Sequence, residues 1–258
     1  MPTITILGSR QETTYLLINR LLEQFEVELI VFERGGLATQ LHLLRRRARR
    51  LGLRRVADQS LLIAWDRLYG RRRSRARIAE LLAGHDVRPP DGRVRTIDVP
   101  DINSPAAVDA LSTVSSSCGV VSGTSILRSP LVERFPTWLN IHCGITPRYR
   151  GVHGAFWAVY EGHPDLAGVT VHNVDAGIDT GAIVAQAAIE IDSADTYRTL
   201  AVKQYLAGAP LMAAAVRDAL AGSLRTYRRP ELESKLWSSP GVLEYMRFRR
   251  RLASLARD

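Results

Sequence analysis

The stretch from Thr3 to Phe32 constrains the fold more than any other part of the chain. Thr3–Leu7 is a short β-branched run that ends at Gly8-Ser9. A helical pattern follows from Thr13 to about Gln24, with Leu16, Leu17, Leu21 and Leu22 on one stripe, and Val27–Phe32 is then a continuous apolar strand. Strand, crossover helix and second apolar strand make a β-α-β unit, which sets the two strands parallel in one sheet with a right-handed crossover. The connecting turn, Leu7-Gly8-Ser9-Arg10, holds a single glycine, so the G-x-G-x-x-G pattern of a dinucleotide site is absent.

The alternation stops near Gly35 and resumes at Val94. Between them, residues 36–91 are helical by composition. They carry the clustered arginines: Arg45, Arg46, Arg47, Arg49, Arg50, Arg54 and Arg55, then Arg71, Arg72, Arg73, Arg75 and Arg77. This reads as an inserted helical segment, or a lid on the sheet, closed by Pro89-Pro90-Asp91-Gly92. Beyond it, strands over Val94–Val99, Gly119–Val121, Trp138–Ile141, Gly168–Val174 and Ile183–Ile191 alternate with helical patterns. These helices run from Ser104 to about Thr113, around Pro130–Arg134, over Gly151–Glu161 and over Asp195–Leu220, the last expected to bend at Pro210. Leu224–Tyr227 reads as a final edge strand. The fold class expected is α/β: a Rossmann-like parallel sheet over residues 1–227 with an Arg-rich helical insertion at about 36–91. Residues 228–258 follow as a C-terminal arm, with an amphipathic helix carrying Leu243, Met246, Leu252 and Leu255.

With 258 residues, 46% hydrophobic and 24% charged, the chain can bury a real core, which excludes a disordered or fibrous protein. No apolar run approaches the roughly 18–20 residues that a membrane span needs. No basic stretch precedes the first strand, so a secretory leader is not expected and the compartment expected is cytoplasmic. Cys118 and Cys143 lie in no metal-ligand spacing and read as free thiols; no metal is expected. The net charge of +9 points toward nucleic acid. Against that, every basic residue except Lys203 and Lys235 is arginine in an alanine-rich chain, a bias that GC-rich coding produces without any ligand.

The densest polar chemistry runs from Leu139 to Gly151. Asn140 and His142, two apart at the end of a strand, project to the same side of the sheet. In open parallel sheets ligands bind beyond the carboxyl ends of the strands. A neutral amide beside an imidazole there can polarise a carbonyl and move a proton, or the two can simply satisfy buried loop groups. A second polar cluster, Asp175-x-Gly177-x-Asp179-x-Gly181, is by itself no more than a turn composition.

Together the segments resemble the folate-dependent formyltransferases. The resemblance is carried by Asn140-x-His142, Pro147-x-Tyr149-Arg150-Gly151, Trp157, Gly168-Val169-Thr170-x-His172 and Asp175-x-Gly177-x-Asp179-x-Gly181. It covers roughly Val94 to Tyr227, and the opening β-α-β loosely. Members formylate glycinamide ribonucleotide, initiator methionyl-tRNA or amino sugars on nucleotides. The resemblance implies that Asn140 donates to the formyl oxygen as it becomes an oxyanion. His142 would help stabilise that oxyanion and move a proton, and Asp179 would hold His142 in its working state and take the proton leaving the amine. A carboxylate beside the imidazole is expected to raise the His142 pKa. The co-substrate implied is 10-formyltetrahydrofolate, its ring bound between Ser125-Ile126-Leu127 and the loop of Val174 and Asp175. His172 reads as structural, and His153 as a loop residue within reach of substrate.

The partner expected is a small-molecule amine, with or without a phosphate, and an amino-sugar nucleotide or a secondary-metabolite precursor is favoured over the alternatives. The first βα turn lacks a Gly-Ser-Asn-like phosphate cradle, which disfavours the ribonucleotide. The residues after Gln186 are too few for the further barrel of the methionyl-tRNA branch. A 10-formyltetrahydrofolate hydrolase is the alternative, disfavoured because the first core strand already starts at Thr3. A nucleic-acid module built on Arg45–Arg55 and Arg71–Arg77 is the third reading, disfavoured because only Trp65 and Tyr69 offer stacking surfaces there. If Arg71 and Arg72 meet a phosphorylated substrate, their loss should raise its KM. A homodimer is left open.

Overall fold

The computed structural model describes residues 2–35, 48–49 and 51–255. The expected opening is present: β1 (Ile4–Ser9), α1 (Glu12–Leu22) and β2 (Val27–Glu33), with β1 and β2 parallel. Two helices of the insertion follow, α2 (Leu53–Trp65) and α3 (Arg71–Leu81), joined by a wider turn at Asp66–Gly70. Arg45, Arg46, Arg47 and Arg50 lie outside the described residues. Next come β3 (Thr96–Val99), α4 (Pro105–Ser112), β4 (Cys118–Ser122), the short α5 (Ser129–Val132) and β5 (Trp138–His142). The chain continues through β6 (Arg150–Gly151), α6 (Gly154–Glu161), β7 (Gly168–Asn173), β8 (Ile183–Ala188) and α7 (Tyr197–Leu220). It ends with β9 (Leu236–Trp237) and α8 (Val242–Leu255).

The described residues form a seven-stranded sheet in the order β3-β2-β1-β4-β5-β7-β8. Its first five strands are parallel, but β7 runs antiparallel to both β5 and β8, so the sheet is mostly rather than wholly parallel. The antiparallel pairing of β7 with β8 is local: the short loop from Asn173 to Ala182 turns β7 directly back into β8, and Asn173 N–H closes it on Ala182 O at 3.0 Å. Leu224–Tyr227 contributes only a single bridge, Tyr227 to Ile183.

Alternation along the strands builds a core on each face of the sheet. Ile4, Ile6, Leu139 and Ile141 pack with Leu17 of α1 and Met212 of α7. Leu7, Val121 and Trp138 pack on the other face with Ala107 and Leu111 of α4 and Leu131 of α5. The polar residues Asn140 and His142 therefore share the face of Trp138. The long helix α7 starts on a reciprocal cap, in which Thr196 N–H donates to Thr199 Oγ1 at 2.8 Å and Thr199 N–H donates to Thr196 Oγ1 at 3.2 Å. It contains Pro210 and runs as one element to Leu220.

The described helices of the insertion, α2 and α3, pack at the side of the sheet's flanking helices. They dock chiefly on α7 and α8, where Arg198 clamps the buried Asp66 carboxylate and Ser74 Oγ meets Thr196 Oγ1 at 3.0 Å. Helix α8 is amphipathic as expected, but its buried face is Tyr245, Phe248 and Leu252, and Leu243 and Met246 are exposed. Aromatic packing selects that face: Phe248 stacks on Phe156 at 4.5 Å, and Tyr245 lies 5.5 Å from Trp65.

Candidate functional site

The antiparallel register of β5 and β7 sets Asn140 directly opposite His172. The Asn140 amide nitrogen lies 3.0 Å from His172 Nε2. His172 Nδ1 lies 2.7 Å from Asn173 O, and a carbonyl only accepts, so Nδ1 carries the proton and Nε2 accepts from Asn140. One amide hydrogen of Asn140 is thereby fixed, and the other is left for the cleft that Asn140 lines.

The β7–β8 loop brings in Asp179. Its backbone sits in the left-handed region with φ of 51°, which aspartate tolerates better than most residues. That conformation turns the carboxylate back onto β5 and β7. Asp179 Oδ2 lies 3.4 Å from His142 Nδ1 and accepts the Gly151 N–H at 2.8 Å, and Oδ1 lies 3.6 Å from His172 Nε2. Asp179, from a loop well beyond β5 in sequence, is thus brought to the side chains of Asn140 and His142. Asp175 stays in the loop: its Oδ1 accepts from Gly177 N–H at 3.0 Å and from Thr180 Oγ1 at 2.7 Å.

His142 is 6% exposed, and its Nε2 donates to Tyr149 O at 2.7 Å. Its second nitrogen faces Asp179, so neither ring nitrogen of His142 is a free donor toward the cleft. The electrostatics also correct an expectation. Burial lowers the His142 pKa below its ordinary 6.5 and outweighs the Asp179 carboxylate, which raises it. Burial opposes ionisation of Asp179 too, but there the His142 and His172 rings and the Gly151 N–H prevail and hold its pKa down at about 2. The resting pair is a neutral imidazole beside an ionised carboxylate.

Ser125, Ile126, Leu127, Val174 and Asp175 all line one cleft together with Asn140, His172 and Asp179. Ile126 is 52% exposed, whereas Leu127 is buried in the core beneath. Two side chains from outside brace this wall. Glu33, at the end of β2, accepts from Ser125 N–H at 2.6 Å and from Ile102 N–H at 3.0 Å. Asn103 donates to Ile126 O at 3.1 Å. Sequence reasoning missed Glu33, whose only signal is its place at a strand end, and it read His172 as structural, although that ring touches both Asn140 and Asp179. His153 has a left-handed backbone at the start of α6 and sets its ring against Tyr197. Arg71 and Arg72 are exposed on α3 and line neither this cleft nor a second cavity on the far side of Asp179. Cys118 and Cys143 are free, with thiols that burial pushes up to about 12. No group of His, Cys, Asp or Glu among the described residues could hold a metal ion, and no described helix is long and apolar enough to cross a membrane.

Residues 101–216 match the family model for formyl transferase. Over 98 residues the chain is 38% identical to methionyl-tRNA formyltransferase of Anaeromyxobacter dehalogenans strain 2CP-1, a stretch that is 38% of this chain and 31% of that protein. The chain therefore spans about a third of the length of the curated relatives it matches first. Among solved structures, glycinamide ribonucleotide transformylase 1 from Symbiobacterium toebii superposes with a TM-score of 0.58 at 22% identity, over 92% of this chain and 94% of that one. An N-formyltransferase from Helicobacter canadensis, solved in complex with folinic acid and dTDP-3-aminofucose, gives 0.56 at 15% identity over 92% and 71%. At these identities the two structures are alike in fold.

Proposed function

We propose that this chain, whose residues 101–216 match the family model for formyl transferase, moves a formyl group from 10-formyltetrahydrofolate to the amine of a small molecule. One observation carries this reading: the amide of Asn140 and the carboxylate of Asp179 border one cleft, with His172 hydrogen-bonded to Asn140 and 3.6 Å from Asp179, and with His142 behind the carboxylate. Leu127, Val174 and Ile178 give the cleft apolar walls for a flat ring, and its polar end is where the formyl carbon would lie.

When bound, the folate supplies an activated formyl carbon; the rest of the work falls to side chains of this chain. Asn140 donates its free amide hydrogen to the formyl oxygen as the amine adds, and His172 keeps that amide from rotating away. A preorganised donor of this kind is worth ~2.7–4 kcal/mol in the transition state. Asp179 takes the proton that the amine loses on forming its new carbon–nitrogen bond. His142 shares that proton through Nδ1, because its Nε2 is already committed to Tyr149 O. As the carbon leaves the folate nitrogen, a proton replaces it there, so the net change exchanges one N–H for one N–C bond.

For the acceptor we favour an amino-sugar nucleotide. The first βα turn supports this, because Arg10 is fully engaged there: its guanidinium pairs with Asp98 and Asp91 at 2.8 Å each, so it offers no cation to a ribonucleotide phosphate at that turn. The test is to incubate the protein with 10-formyltetrahydrofolate and a panel of amines that includes amino-sugar nucleotides, and to follow product mass for one added formyl group. Transfer that depends on an amine is expected. Formate release at the same rate without any amine would assign the site to hydrolysis instead.

A further inference from the structure

A second cavity meets the first at Asp179, the one residue that lines both. It lies on the other side of the β7–β8 loop from Ser125–Leu127, and its lining carries Thr146, Arg150, Arg228 and Arg229. Asp179 is the only acidic residue in that lining.

The polar groups there are incompletely used. Arg150 donates from Nη1 to Ile178 O at 3.3 Å, and its Nε is buried with no partner among the described residues. Thr146 is 2% exposed, and its hydroxyl is likewise buried and unpaired. Unpaired buried donors are costly and call for a partner. Arg228 is exposed and has no carboxylate partner among the described residues. Arg229 is partly committed: it reaches Glu231 at 2.8 Å and Gln186 at 3.2 Å. Three guanidiniums against Asp179 in the lining and Glu231 beside Arg229 leave the cavity net positive, and guanidinium forks match phosphate oxygens.

We propose that this cavity is a subsite for a phosphate or diphosphate carried by the acceptor amine. The assignment rests on the formyl-transfer reading and deepens it. Donor and acceptor would approach Asp179 from opposite sides of the loop, and the amine arrives where its proton is taken. The competing source of an anion is the carboxylate tail of the folate, which would enter from the cleft walled by Ser125 and Leu127.

Binding measurements on the full chain separate these sources. Inorganic pyrophosphate is titrated calorimetrically into the wild type, into an Arg228→Ala/Arg229→Ala double variant and into Arg228→Lys, with folinic acid titrated into the same three proteins. Pyrophosphate should bind the wild type, weaken at least about tenfold in the double variant, and weaken by less in Arg228→Lys, which keeps the charge but loses the fork. Folinic acid affinity should not change. Absence of pyrophosphate binding by the wild type, or equal affinity in the double variant, overturns the subsite. Loss of folinic acid affinity with pyrophosphate unaffected assigns the arginines to the donor tail and overturns it as well. A wild type that binds pyrophosphate but not folinic acid counts against formyl transfer while leaving the anion subsite standing.

Discussion

Asn140 and His172 show how much one cross-strand pair can decide. Alone, an amide at a strand end rotates freely; opposite His172 it is held by a 3.0 Å hydrogen bond, with one hydrogen spare. Asn140→Ala should therefore lower kcat by about 10²–10³ with the fold intact, the usual cost of losing one oxyanion donor. Wild-type turnover would remove Asn140 from the mechanism. Asp179→Asn should be as damaging, since it removes the base and keeps the shape. The pH dependence has a definite sign. With the folded His142 pKa below 6.5, the unfolded chain binds that proton more readily. Its contribution to stability is fully present above pH 6.5 and is lost as pH falls from there through the lower pKa of the folded state. Asp179, held at about 2, stays ionised throughout that window. NMR titration of the His142 ring should give a midpoint under 6.5, shifted further down in Asp179→Asn, where the opposing carboxylate is gone. A midpoint above 6.5 would mean that the carboxylate outweighs burial after all.

At the level of elements, the sequence made the first three strands, α1, β5 and the long α7 legible, because apolar period and turn residues agree there. Strand direction was not legible. Gly168–Asn173 looks alike parallel or antiparallel, and only pairing with β5 turns it over. The proposed trio of Asn140, His142 and Asp179 was legible in composition and order as a candidate site, but the contacts that hold it were not. Those contacts depend on backbone groups, such as Tyr149 O and Gly151 N–H, which no side-chain pattern reveals. Gly151 is an example: its φ of 94°, and a Trp237 carbonyl standing where a Cβ would have to go, come from pairing β6 with β9 in the far C-terminal arm. Glu33 was hidden for the same reason, since both its partners are backbone N–H groups. Glu33→Ala should leave those donors unpaired, raise KM for 10-formyltetrahydrofolate about tenfold and change kcat little, because the wall loosens while Asn140 and Asp179 stay in place. A fall in kcat at constant KM would place Glu33 in the chemistry rather than in the wall.

Across the whole molecule, the charge of the insertion is partly internal currency for docking rather than a surface for ligands. Arg55 pairs with Glu244 of α8 at 2.7 Å, Arg77 pairs with Glu80 at 2.6 Å and with Asp192 at 3.3 Å, and Asp66 is gripped by Arg198 of α7. Insertion and arm also share a core, with Leu62 joining Phe156, Tyr245 and Phe248. Residues far apart in sequence, 51–81 and 242–252, therefore stand or fall together beside α6, the helix that follows the site loop. The Asp66–Arg198 pair is the sharpest place to test this, because Asp66 is 3% exposed and its carboxylate faces a single guanidinium. Arg198→Ala leaves a buried carboxylate uncompensated and should cost about 3 kcal/mol in denaturant unfolding. Asp66→Asn in the same background should recover part of that loss by removing the charge. Failure of the double variant to recover any stability would show that the two side chains act separately, and that apolar packing alone holds the insertion in place.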